Sequence, residues 1–131
     1  MSYGPPPQPS DLDRPYWESG RDGVLRLQRC ATCEHIFFPP GRRCVSCGST
    51  ELQWTPMSGR GVIWSWIEMH KAYFPGAMPP PYLVVRVQLE EGPYLLTNLL
   101  ATADRRPAIG APVRVMFEAV GEIFLPQFTY A

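Results

Sequence analysis

Cys30-Ala-Thr-Cys33 and Cys44-Val-Ser-Cys47 hold all four cysteines of the chain, as two matched pairs with ten residues between them. Thiolates at this spacing on tight turns converge on one tetrahedral metal, and zinc is the first expectation. Iron stays open, because ligation by four thiolates does not separate the two metals. Two disulfides would need an oxidising compartment, and the opening Met1-Ser2-Tyr3-Gly4-Pro5 has neither a basic n-region nor an apolar h-region. A redox Cys-x-x-Cys opens a helix in a βαβ setting. The span from Glu34 to Arg43 instead holds two prolines, a glycine and no helical period. A catalytic zinc keeps one position open, whereas four thiolates close the shell. Cys30, Cys33, Cys44 and Cys47 are therefore read as structural ligands.

Other chemistry is sparse. The two histidines, His35 and His70, limit any nucleophile–base scheme. No Gly-x-Ser-x-Gly elbow and no phosphate-binding glycine loop occurs. Gly59-Arg60-Gly61 reads first as a turn. His70-Lys71 and Glu68 read first as solvated residues at a loop edge.

The elements that must position these residues are short. Residues 1–12 form a proline-rich tail, expected to be flexible. Residues 13–23 form a short docking helix, with Ser10 or Asp13 as cap, Pro15 in the first turn and Gly20 or Gly23 at the end. Residues 24–57 alternate strand, knuckle, strand, turn, knuckle and strand, the plan of a zinc ribbon. So small a unit draws its folding energy from the metal. Residues 58–131 read as all-β, with strands at Val62–Met69, Tyr82–Leu89, Tyr94–Leu99, Val113–Glu118 and Ile123–Phe128. A Pro-rich loop from Lys71 to Pro81 and a connection from Ala101 to Gly110, with room for one helical turn, separate them. Five strands in this length suit a closed barrel, OB-like in preference to SH3-like.

Twelve basic and twelve acidic residues cancel in this chain of 131. Without the electrostatic footprint of a nucleic-acid binder, a nucleic-acid-binding ribbon plus OB module is the alternative and not the first reading. No apolar run approaches the ~20 residues of a membrane span, so the cytoplasm is the expected location and no membrane partner is expected. Trp64 and Trp66 are placed on one face of their strand by simple alternation. With apolar residues on both faces, core plus protein interface is preferred to base stacking.

The chain resembles the zinc-ribbon/OB-fold family that accompanies thiolase-like enzymes, long classed as a domain of unknown function. The resemblance is carried by Tyr16-Trp17, Leu25-Arg26-Leu27-Gln28-Arg29-Cys30, His35-Ile36-Phe37-Phe38-Pro39-Pro40 and Cys44-Val45-Ser46-Cys47-Gly48-Ser49. It continues through Ser58-Gly59-Arg60-Gly61-Val62-Ile63-Trp64-Ser65, Glu91-Gly92-Pro93, Asn98-Leu99 and Ile109-Gly110-Ala111-Pro112-Val113-Arg114-Val115. It implies an accessory subunit bound to a thiolase-like protein. The partner would carry thiolysis, condensation, acyl transfer or retro-aldol side-chain cleavage on an acyl-CoA. It also implies that the chain binds acyl-CoA; from their own chemistry, Arg60 is a candidate contact to a CoA phosphate, and His70 and Lys71 to a CoA phosphate or a partner carboxylate. Tyr16, Trp17, Trp64 and Trp66 are the candidates for partner contact.

Overall fold

Pro15 opens the first element, helix α1 (Arg14–Glu18), in the turn where a missing N–H costs nothing. Asp13 stands at the N-cap without capping by its side chain. Its carboxylate instead accepts from the Ser10 N–H at 2.6 Å and the Ser10 hydroxyl at 2.9 Å, folding the chain just upstream. A 3-10 turn over Ser19–Asp22 follows and stops at Gly23, whose φ of 77° favours glycine. These relationships come from a computed structural model, which describes residues 8–70, 81–100 and 107–131. The start of the tail, the Pro-rich loop from Lys71 and the expected helical turn near residue 101 lie outside the described residues.

Three antiparallel strands build the ribbon: β1 (Arg26–Cys30), β2 (Ile36–Phe37) and β3 (Leu52–Pro56), in the order β2-β1-β3. Five more close a barrel: β4 (Arg60–Met69), β5 (Tyr82–Leu89), β6 (Tyr94–Leu99), β7 (Pro112–Val120) and β8 (Ile123–Tyr130). Their order is β4-β5-β6-β8-β7, with β7 returning to β4. This is the expected OB barrel. Among the described residues only β6 and β8 run parallel, paired at Leu99 and Phe128. Thr97 and Thr129 support this seam from their side chains, donating to the carbonyls of Pro126 and Leu100 at 2.5 and 3.2 Å. α1 lies beside the seam, where Tyr16, Trp17, Leu96 and Pro126 help enclose a cavity of about 70 Å³.

The ribbon and barrel share a core. Leu25 and Leu27, together with Tyr16 and Met57, pack in one cluster with Ile63, Val85, Val87, Leu95, Val113 and Phe128 of the barrel. A small second cluster of Cys30, Phe37 and Cys44 lies under the knuckles. Gly20 permits the 3-10 turn to press on the β7–β8 hairpin. A Cβ there would overlap the Phe117 ring and come within 2.7 Å of Phe124 Cβ.

One expectation needs correction. Trp64 and Trp66 do not share a face. The β4–β5 register shifts between Ile63 and Ser65, a β-bulge that absorbs one residue and reverses the alternation beyond it. Ile63 and Trp66 consequently pack inward, while Trp64 stays 50% exposed on the outside. Among the described residues no helix is long and apolar enough to cross a membrane.

Candidate metal centre

The two knuckles repeat one backbone design. Cys30 N–H donates to His35 O at 2.9 Å, and Cys44 N–H donates to Ser49 O at 2.8 Å. Four residues past the first cysteine of each pair, Glu34 and Gly48 return their N–H groups to Cys30 O and Cys44 O at 2.8 and 2.9 Å. Both residues need left-handed backbone, with φ of 67° and 79°. Gly48 adopts it freely. Glu34 is held there by its knuckle and by an ion pair with Arg29 at 2.9 Å.

This design brings four sulfurs together, all within 4.8 Å of one another. Cys30 Sγ and Cys47 Sγ are 3.6 Å apart, and Cys33 Sγ and Cys44 Sγ 3.5 Å. A disulfide needs about 2.05 Å, and all four cysteines are free. Tetrahedral zinc with Zn–S bonds of about 2.3 Å puts its sulfurs about 3.8 Å apart. The set fits zinc. Cys30 and Cys44 are buried, and Cys33 and Cys47 face outward.

Backbone dipoles prepare the charge. The Cys33 N–H pulls the Cys30 thiol down to about 6. Burial opposes ionisation of Cys44, but the N–H groups of Cys47 and Ser46 outweigh it and lower this thiol too. For Cys33 the His35 N–H favours the thiolate. Burial and the three neighbouring sulfurs overcome it and push the thiol to about 12. Four thiolates cannot crowd together unaided, and a bound divalent cation removes that conflict.

The other candidates are dispersed. Arg60 forms a two-toothed contact with Glu90, at 2.9 Å from Nε and 3.2 Å from the second nitrogen. His70 Nε2 lies 3.0 Å from Glu68 Oε1. Arg60 and His70 flank opposite ends of β4, about 30 Å apart at a strand rise of about 3.3 Å, so they do not form one site. Lys71 lies outside the described residues. Tyr16 is 6% exposed, with its ring in the core against Trp17 and Phe38, both at 4.9 Å. Trp17 packs beside it.

Sequence reasoning missed a groove of about 600 Å³ between ribbon and barrel. His35, Phe38 and Val45 line one side, and Arg86 and Tyr94 the other. Its halves lie some fifty residues apart in the chain. The available signal was Arg86, a lone cation in the apolar strand YLVVRVQL, and it announces only an outward position.

A closed four-sulfur centre on a three-stranded ribbon, continued into a five-stranded OB barrel, defines a zinc-ribbon/OB-fold protein. Residues 17–53 match the ChsH2 rubredoxin-like zinc ribbon domain, and residues 54–118 match the ChsH2 C-terminal OB-fold domain. The chain belongs to this ChsH2 (DUF35) family. It is similar to a chain of the solved Ltp2-ChsH2(DUF35) aldolase, at 34% identity, over 95% of this chain and 98% of that one, with a TM-score of 0.85. A Thermomonospora curvata protein named probable enoyl-CoA hydratase alpha subunit is 38% identical over 93% of this chain. The 3-oxo-4,17-pregnadiene-20-carboxyl-CoA hydratase alpha subunit of Mycobacterium tuberculosis is 31% identical over 78% of it. The matches span only 39% and 32% of those two relatives. A DUF35 domain-containing scaffold protein of Methanocaldococcus jannaschii is 26% identical over 72% of this chain and 67% of its own.

Proposed function

We propose that the chain is a non-catalytic accessory subunit of a thiolase-superfamily enzyme acting on acyl-CoA thioesters. It supports assembly of the complex and contributes to CoA binding, while its partner carries out thiolysis, condensation, acyl transfer or retro-aldol cleavage. The observation that carries this reading is the end-to-end likeness to the ChsH2(DUF35) chain of an aldolase, 34% identical over 95% of the sequence. The closed sulfur shell agrees with it, because such a centre holds a ribbon in shape and offers no position to a substrate. The names of the two hydratase relatives point to the same class of substrate, a CoA thioester. Arg60 at one end of β4, and His70 with Lys71 after the other, stay candidate CoA contacts as alternatives and not as one site; Arg60 would exchange Glu90 for a phosphate.

The nucleic-acid alternative asks for a free cationic face. Arg26, Arg29 and Arg60 each lie against a carboxylate, at 2.7 to 2.9 Å.

Co-expression with the thiolase-fold subunits of the same genome tests the proposal. The expected result is a stable complex whose acyl-CoA turnover is absent from either protein alone. Separate elution with unchanged partner activity would overturn it.

A further inference from the structure

Outward faces of barrel strands are ordinarily polar. On the outer face of β4, β5 and β6, the exposed apolar side chains of Val62, Trp64, Ile67 and Leu96 sit among Ser65, Arg86 and Gln88. Directly paired residues share a face, and here the cross-strand rows run Val62–Gln88–Tyr94 and Ser65–Arg86–Leu96. The bulge adds Trp64 to this side. Its ring meets the Tyr94 ring edge-on with centroids 5.4 Å apart, and the Arg86 guanidinium carbon lies 4.5 Å from the Tyr94 centroid. Leu96 is 72% exposed beside them, and Ile67 is exposed further along β4. Past Tyr94 the groove leads to Val45, which stands 73% exposed on the second knuckle. Trp, Tyr and Arg are the residues that concentrate binding energy at interfaces. Packing them against one another beforehand lowers the ordering cost of association.

Charge decides what fits. Among the described residues, Arg86 contacts the Tyr94 ring and appears in no ion pair with a carboxylate. The two acidic residues of the groove are engaged: Glu34 with Arg29 at 2.9 Å, and Glu91 accepting the Ser58 N–H at 2.7 Å. A two-fold dimer through this face would turn the patch on itself. Arg86 would then meet a cationic, apolar surface whose groove carboxylates, Glu34 and Glu91, already hold Arg29 and the Ser58 N–H. The face suits a different chain.

We propose that this face, from Ile67 across Trp64, Tyr94 and Arg86 to the groove below Val45, is the docking surface for the partner subunit. The partner brings an Asp or Glu to Arg86 at the rim of an apolar pocket that receives Trp64. This rests on the accessory-subunit reading and specifies its interface.

The test measures affinity of the full zinc-loaded chain for a purified thiolase-fold subunit of the same genome. Trp64→Ala and Arg86→Glu are each expected to weaken binding about 30-fold or more, the range of interface hot spots. Met116→Ala, on the exposed surface of β7, is expected to leave it unchanged. Zinc content and melting temperature establish that each variant is folded. Hydrogen exchange of the wild-type complex needs no variant, and is expected to show protection over residues 62–67, 84–88 and 94–96. A complex that forms with both folded variants at wild-type affinity, or without that protection, overturns the docking surface and leaves the accessory-subunit reading standing. Absence of any complex with the wild-type chain overturns both. Self-association of the wild-type chain that Trp64→Ala abolishes would make the occupant a second copy and overturn the proposal.

Discussion

Gln28 and Gly41 exchange two hydrogen bonds: the Gln28 side-chain amide donates to Gly41 O at 2.9 Å, and the Gly41 N–H donates to Gln28 Oε1 at 2.8 Å. Gln28 is 5% exposed. Its amide thus does with a side chain what a neighbouring strand does with its backbone. It ties the turn after Pro39-Pro40 to β1 and aims the chain at the second knuckle.

Gln28→Leu should therefore destabilise the fold by about 1–3 kcal/mol, because it strands the polar backbone of Gly41. Gln28→Glu should not rescue it, since a carboxylate can accept from the Gly41 N–H but presents no donor to its carbonyl. Urea unfolding of the three proteins checks this. Wild-type stability in Gln28→Glu would show that the Nε2 bond is dispensable.

Removing the metal, by chelation or by Cys44→Ser, should unravel the knuckles and β2 first. Because Leu25 and Leu27 lie in the barrel's own cluster, the barrel should also lose about 5 °C or more of melting temperature. Hydrogen exchange resolves the first event and calorimetry the second. A barrel transition unmoved by chelation would contradict the shared core.

Burial holds the Tyr16 phenol well above its ordinary value of 10.0. The folded state keeps the proton that the unfolded chain releases. The associated stability is thus fully present below pH 10 and declines as pH rises beyond it. Urea midpoints measured from pH 8 to pH 11 should fall at the alkaline end, and Tyr16→Phe should flatten that fall. Parallel declines in the two proteins would assign the effect to other groups.

Gly20→Ala should cost about 1–3 kcal/mol, because its methyl group would meet Phe117 and Phe124 inside a packed contact. Gly92 is a contrast. Its φ is 115°, and a Cβ there meets nothing within 4 Å, so Gly92→Ala should carry about 1–3 kcal/mol of backbone strain and no clash. Thermal unfolding measures both variants, and an unchanged melting temperature in Gly20→Ala would remove the steric argument for Gly20.

Much of this arrangement is legible in the chain. Cysteine spacing gives the centre its ligands, and β5 and β6 fall on the expected bounds, Tyr82–Leu89 and Tyr94–Leu99. Those strands are punctuated by turn residues and carry their own alternation. The bulge at Trp64 is illegible for a physical reason. In VIWSWIEM both faces are apolar, so alternation carries no phase and an extra residue leaves no trace. The docking of Leu25 and Leu27 into the barrel, and the groove between Phe38 and Tyr94, arise only when distant segments meet. Local pattern specifies an element's own faces, not the neighbour that covers them.

The bulge in β4 behaves like a frameshift written in space. Upstream of Trp64 one parity of residue numbers faces the core, and downstream the other parity does. Deleting Trp64 would remove the bulge and leave one unbroken alternation, with Ile63 and Trp66 inward and Ser65 and Ile67 outward. One extra residue thus decides which of two tryptophans the protein keeps for itself and which it shows to its surroundings.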